Sequence, residues 1–176
     1  VDGFRLDTVN YYYHDSSLRD NPASVRREEI LVNPYYMQEH KYSINRPENL
    51  EFIKKLRTLL DQYEDKMMVG EISNIDLQAK YTSGEDKLHM AYSFELLRKD
   101  FSPSHIKDCL ERFYELAPNG YPCWSFSNHD VIRHVSRWSD LAYSSEDFAK
   151  LTASILLSLR GSICIYQGEE LGQLQT

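Results

Sequence analysis

The sequence contains no long hydrophobic run. Nowhere in its 176 residues do apolar side chains approach the roughly 18 in succession that a membrane-spanning helix needs, so we expect no membrane partner. Basic residues are also in the minority, because 20 lysines and arginines stand against 27 aspartates and glutamates. The resulting net charge of −7 argues against nucleic acid or an anionic membrane surface as a partner.

Cysteine is scarce, and its three positions do not have the spacing of a metal site. Cys109, Cys123 and Cys164 are therefore expected to be free thiols, the latter two buried in strands as small hydrophobic residues. An odd number of cysteines favours a reducing compartment, so we expect a cytoplasmic protein. No signal peptide is visible, but the sequence begins on Val1 and looks like a fragment, so that absence says little.

What the sequence does contain is an alternation of strands and helices in a composition typical of a globular domain, 41% hydrophobic and 27% charged. Long polar segments at 9–48 and 73–87 are expected to be loops. The predicted strands cover residues 1–8, 67–72, 124–130 and 162–166, and a further strand followed by a short helix is predicted within 89–97. Three longer helices are predicted: one that begins at Pro47, one over 104–116, and one from Ser145 to Gly161. This order implies a parallel α/β sheet.

Side chains suited to catalysis lie at the ends of several of these strands. Asp7 ends the first, Glu71 the second, and Asp130 a later one. No glycine-rich fingerprint follows the first strand, which argues against a doubly wound nucleotide-binding sheet. The pattern instead favours part of a (β/α)8 barrel, approximately strands 4–8 with their helices, with residues 1–176 forming the C-terminal portion of the catalytic domain. Because a whole barrel needs about 250 residues, the first strands would be absent.

Three segments carry a resemblance to a known family. Residues 2–7 (DGFRLD), 69–71 (VGE) and 126–130 (FSNHD) resemble, in order and spacing, signature regions of the α-amylase superfamily, glycoside hydrolase family 13. Residues 81–94 and 166–172 (YQGEELG) are similar to its bacterial α-glucosidase and oligo-1,6-glucosidase group. The resemblance implies a retaining hydrolase that acts on a small oligosaccharide or disaccharide and needs no organic cofactor.

The resemblance also implies a role for each residue. Asp7 would be the nucleophile, Glu71 the general acid/base, and Asp130 a third carboxylate that grips sugar hydroxyls. Arg5, two residues before Asp7 and on the same face of a strand, would keep the nucleophile ionised. His129 would donate a hydrogen bond to the same glucose unit. Taken singly, each carboxylate could equally be an ordinary ion pair, a solvated acid or a cap.

Thr8 is the clue to the glycosidic linkage. In the resembling group, threonine or alanine after the nucleophile accompanies α-1,4 cleavage, and valine accompanies α-1,6 cleavage. We therefore expect a maltose-like substrate and, because the covalent intermediate can be intercepted by another hydroxyl, some transglucosylation. The alternatives are an oligo-1,6-glucosidase, a trehalose- or sucrose-processing relative, and a non-catalytic sugar-binding or partner homologue.

Parts of the family pattern are missing from the sequence. The first signature region, the inserted domain, an arginine beyond the last strand and the C-terminal β-domain are not found. No metal ligands are predicted in this chain, and calcium is expected only in a full-length enzyme. Because an unclosed barrel exposes strand edges and apolar surface, we expect the isolated chain to be inactive and poorly soluble.

Overall fold

Five short strands alternate with helices in the computed structural model, which describes residues 1–25, 33–141 and 144–176. The strands in this part of the chain are β1 (Gly3–Leu6), β2 (Met67–Ile72), β3 (Met90–Ser93), β4 (Cys123–Trp124) and β5 (Ser162–Ile163). The helices are α1 (Pro47–Leu60), α2 (Ile75–Thr82), α3 (Pro103–Leu116), α4 (His134–Arg137) and α5 (Ser145–Ser158), with single 3-10 turns at Val9–Tyr11, Pro34–Met37, Glu95–Leu97, Ser139–Leu141 and Glu169–Leu171.

The pairing of the strands confirms the expected parallel sheet. β1, β2 and β3 pair in that order, and β4 pairs with β5, all of them parallel. A parallel bridge between Ala91 and Pro122 connects the two groups. The carboxyl ends of the strands therefore face one rim, as they do in a segment of a barrel.

Helix α1 begins where the sequence predicts. Pro47 occupies its first turn, where a missing N–H costs nothing, and Glu48 lies at the positive end of the helix dipole. Ile53 and Leu60 are buried against β2, together with Met68, in one of two hydrophobic clusters. The apolar periodicity of this helix was therefore sufficient to place it.

The predicted polar loop at 73–87 is wrong, because α2 lies within it. Asn74 caps this helix by accepting a hydrogen bond from the N–H of Leu77 at 3.0 Å. The helix buries Ile75 and Ala79, but also the polar side chain of Gln78. Since polar residues supply part of its buried face, the hydrophobic pattern of the segment was too weak to indicate a helix.

The two last strands are shorter than predicted. After β4 the backbone leaves the ladder at Ser125, whose hydroxyl donates to the carbonyl of Ser127 at 2.7 Å. The segment that carries His129 and Asp130 is consequently a loop. Cys123 is a buried free thiol in β4 as expected, whereas Cys164 lies beyond β5 and is exposed, which corrects the prediction for that residue.

A second hydrophobic cluster fixes the far end of the sheet. Its members come from α2, α3, α5, β4 and the segments after β3 and β4, and they include Phe113, Trp124, Phe126, Trp138 and Phe148. Trp124 is almost completely buried, and its indole N–H donates to the carbonyl of Arg160 at 2.8 Å.

None of the helices in the described ranges is long and apolar enough to cross a bilayer. Residues 26–32, part of the predicted excursion at 9–48, lie outside the described ranges.

Candidate active site

The ends of β1 and β2 bring two carboxylates together. Leu6 pairs with Gly70, so the next residues of the two strands, Asp7 and Glu71, lie side by side. Glu71 in turn pairs with Tyr92 on β3. The carboxyl ends of parallel barrel strands form the face on which active sites of such folds are built. Three neighbouring strands thus bring polar side chains to the same point of the rim.

Arg5 is the centre of this group. Its Nη1 contacts Oδ1 of Asp7, and its Nη2 lies 2.8 Å from Oε2 of Glu71 and 2.7 Å from Oη of Tyr92. Because side chains alternate along a strand, Arg5 and Asp7 point to the same face, as the sequence predicts. One guanidinium therefore holds both carboxylates, and the buried hydroxyl of Tyr92 accepts a hydrogen bond from the same nitrogen that contacts Glu71.

Thr8 turns the chain sharply after Asp7. Its φ of 38° and ψ of 47° lie in the left-handed region, which costs a β-branched residue about 1–3 kcal/mol. The turn directs the N–H of Thr8 to Oε2 of Glu71 at 3.1 Å and places the fully buried Val9 beneath Gly70. The strained backbone is thus part of the site, since it supplies a hydrogen-bond donor to Glu71.

The two carboxylates lie in opposite environments. Asp7 has a side chain that is 70% exposed, and the hydrogen bond from Arg5, together with one shared with Glu71, holds its pKa below the ordinary value. The side chain of Glu71 is only 4% exposed, and burial raises its pKa although the N–H of Thr8 and the charge of Arg5 oppose that change. Asp7 is therefore expected to ionise at a lower pH than Glu71.

His129 and Asp130 lie in the loop after β4. The N–H of Asp130 donates to Oδ1 of Asn128 at 2.9 Å, and its carboxylate lies 3.5 Å from Nε2 of His129. His129 lines a cavity of about 380 Å³ with Arg5, and it lies close enough to Asp7 to lower the pKa of that carboxyl. Within the described ranges, the polar contacts of Asp130 are with its own loop rather than with Asp7 or Glu71. The structure therefore joins Arg5, Asp7, Thr8 and Glu71 directly, and leaves Asp130 54% exposed at the rim.

Tyr92 is the member of the site that the sequence did not single out. Its side chain is buried, and burial raises the pKa of its hydroxyl to about 12, so the group stays neutral near pH 7. Tyr92 lies in the segment 81–94 that carries part of the resemblance, but no role was predicted for it, and the pairing of β2 with β3 is what brings it to Glu71. In the described part of the chain, no group of three or more histidines, cysteines and acidic residues is placed to hold a metal ion.

Comparisons with known proteins agree with this architecture. The family described as alpha amylase, catalytic domain, matches residues 1–176. A probable alpha-glucosidase of Rhizobium meliloti is 52% identical over 97% of this chain and 33% of its own length. An oligo-1,6-glucosidase of Heyndrickxia coagulans is 39% identical over 99% of the chain and 33% of its own length.

Solved structures give the same result. The crystal structure of the alpha-glucosyl transfer enzyme XgtA matches with a TM-score of 0.89 and 44% identity, over 100% of this chain and 34% of that one. A trehalose-6-phosphate hydrolase of Bacillus licheniformis matches with a TM-score of 0.77 and 27% identity, over 99% and 32% of the two chains. The chain thus spans about one third of the length of the relatives it matches. Its fold is part of a (β/α)8 barrel. It belongs to the alpha-amylase family, to whose catalytic domain all 176 residues match.

Proposed function

We propose that this chain supplies the catalytic centre of a retaining α-glucosidase that acts on short α-glucosides, with α-1,4 linkages preferred. The observation that carries the proposal is the pairing of Asp7, whose pKa is lowered, with the buried Glu71, whose pKa is raised, around one guanidinium. Two carboxyl groups with opposite environments are what glycosidic cleavage requires, one ionised and one able to give a proton.

The reaction would proceed in two steps. Asp7 attacks the anomeric carbon while Glu71 protonates the glycosidic oxygen, so that the aglycone leaves and a glucosyl ester of Asp7 forms. Glu71, now ionised, takes a proton from water, which attacks the ester and releases glucose with net retention. A sugar hydroxyl in place of water gives transfer, and the likeness to an enzyme named for alpha-glucosyl transfer supports this branch.

His129 and Asp130 would bind hydroxyl groups of the same glucose unit. Both side chains are exposed at the rim, and His129 lines the cavity that contains Arg5. We propose no organic cofactor, because proton transfer and carboxylate attack need only these side chains. Activity, any calcium requirement and a cytoplasmic location are proposed for the whole protein, of which this chain corresponds to about one third by comparison with its relatives; the isolated chain is proposed to be inactive.

The linkage preference depends on Thr8. We expect the full-length parent enzyme to release glucose faster from maltose than from isomaltose, and we expect Thr8→Val to shift this ratio towards isomaltose by about tenfold, since a methyl in place of a hydroxyl at a substrate pocket is worth roughly 1–2 kcal/mol. The measurement is the initial rate of glucose release from each disaccharide. If the parent enzyme prefers isomaltose, the result would instead support an oligo-1,6-glucosidase activity, the activity for which one relative is named.

Tyr92→Phe tests whether the hydroxyl on β3 supports the centre. The variant keeps the buried ring but removes the acceptor that Arg5 contacts at 2.7 Å. A hydrogen bond to a charged group contributes about 1.5 kcal/mol, so kcat/KM should fall about tenfold. Tyr114→Phe on α3 is the matched control, because it removes a hydroxyl that bonds to the carbonyl of Arg160. Equal kcat/KM in the Tyr92 variant and the parent would contradict a role for this hydroxyl.

A further inference from the structure

A buried polar cluster lies beneath the loop that carries His129 and Asp130. Nδ1 of His134 lies 2.8 Å from Oε1 of Glu169, and both side chains are almost completely buried. Nε2 of His134 lies 2.8 Å from the hydroxyl of Thr152, which itself donates to the carbonyl of Phe148 at 2.9 Å. The imidazole is thus bonded through Nε2 to the hydroxyl of Thr152 on α5, and its Nδ1 lies within ion-pair distance of the Glu169 carboxylate.

The cluster joins two loops at the catalytic rim. Oγ of Ser127 accepts the N–H of His134 at 2.9 Å and lies 3.2 Å from its ring nitrogen, which ties down the loop after β4. Oε2 of Glu169 accepts the N–H of Tyr166 at 2.8 Å, just after β5. Arg133 makes a second link between the same loops, because it donates to the carbonyl of Gln167 at 2.7 Å.

A histidine and a carboxylate buried together lose their hydration, and an apolar pair of similar size is often as stable, so stability alone is a weak reason for this arrangement. The geometry suggests a different reason. His129 and Asp130 are exposed, and their polar contacts with described residues lie within their own loop, so the positions of their side chains depend on the backbone between Ser127 and His134. That backbone is what the cluster holds.

We propose that Glu169 and His134 are positioning residues that hold the loop of residues 127–134 so that Asp130 faces the sugar bound at Asp7 and Glu71. This inference rests on the proposed function, since it concerns how Asp130 acts in glucoside cleavage. Neither residue touches the substrate. Their effect on the rate passes through Asp130, and this distinguishes positioning from a general contribution to folding.

The test is a double-mutant cycle in the full-length parent enzyme. Parent, Glu169→Gln, Asp130→Asn and the double variant are compared by kcat and KM for p-nitrophenyl α-D-glucoside. Misplacement of a catalytic group by about 1 Å can cost about a hundredfold, so Glu169→Gln alone should lower kcat by about ten- to a hundredfold with little change in KM. In the Asp130→Asn background, where the carboxylate to be positioned is absent, the same change should lower kcat by less than about threefold.

Equal losses in the two backgrounds, or a folded Glu169→Gln variant with the kcat of the parent, would overturn the inference. Glu146→Gln is the matched control, because it makes the same chemical change in an exposed ion pair with Lys150 on α5, and its kcat should match that of the parent. If Glu169→Gln does not fold, Ser127→Ala takes its place in the cycle with the same criterion. A parent enzyme that releases no nitrophenol would refute the proposed function itself, and this inference with it.

Discussion

Replacing Asp7 by asparagine in the full-length parent enzyme is expected to lower kcat for maltose by about 10⁴-fold or more, since removal of a nucleophile usually costs at least this much. The amide has the size of the carboxylate but cannot form the glucosyl ester. It also leaves Arg5 with Glu71 as its only remaining carboxylate partner in the group. The measurement is the rate of glucose release, with folding checked by the thermal midpoint.

Asp2→Asn is the matched control for this change. Asp2 precedes the same strand, and its almost fully exposed carboxylate pairs only with Lys66, at 3.0 Å, among the side-chain contacts in the described part of the chain. We expect parental activity from it. Azide should restore cleavage of an activated glucoside by an Asp7→Gly variant, because a small anion can enter the space that the missing carboxylate left. An Asp7→Asn enzyme that retains a tenth or more of the parental kcat would show that another group is the nucleophile.

Glu71→Gln should give a loss that depends on the leaving group. Glutamine keeps the shape of the side chain but cannot supply a proton, and positioned acid catalysis is worth about 10²–10⁴-fold. We expect a fall in kcat/KM, which reports the step that forms the glucosyl ester, near the upper end of this range for maltose, whose leaving group is a sugar hydroxyl. The fall should be far smaller for p-nitrophenyl α-D-glucoside, whose leaving group needs little protonation. Similar losses on both substrates would contradict the role of Glu71 as the acid.

The pH dependence of kcat/KM in the same variant is a second test of Glu71 as the acid. In the parent, kcat/KM should rise with pH as Asp7 ionises and fall as Glu71 loses its proton. Because the pKa of Asp7 is lowered and that of Glu71 raised, the two limbs are pushed apart and the plateau between them widens. Glu71→Gln should remove the fall at high pH and leave the rise at low pH. A descending limb that persists in this variant would belong to some other group.

The sequence predicted those elements whose burial is carried by apolar side chains. Strand β2 was placed to the residue, and α1 began at Pro47 as expected. Helix α2 was missed because Gln78 and Thr82 contribute to its buried face. The predicted strand at 124–130 was too long, since the buried serines at 125 and 127 bond locally instead of continuing the ladder.

The contacts of the candidate site also fall into two groups, those that the local sequence predicts and those that depend on tertiary packing. The contact between Arg5 and Asp7 follows from the two-residue period of a strand, so it could be predicted from six letters of sequence. Tyr92 reaches Arg5 through the register of β2 and β3, which the local sequence does not specify. The left-handed backbone at Thr8 could not be predicted either, because β-branched residues rarely adopt it. His134 and Glu169 meet through tertiary packing of two loops, which no local pattern encodes.

The central claim is that Asp7 forms a covalent glucosyl intermediate, and the configuration of the first product tests it most directly. The full-length parent enzyme would be given p-nitrophenyl α-D-glucoside in an NMR tube, and the anomeric proton of the released glucose followed before mutarotation. The mechanism proposed here predicts that α-glucose appears first and β-glucose only later, because two inversions give net retention. Initial release of β-glucose would contradict it, since a single displacement by water would then replace attack by Asp7.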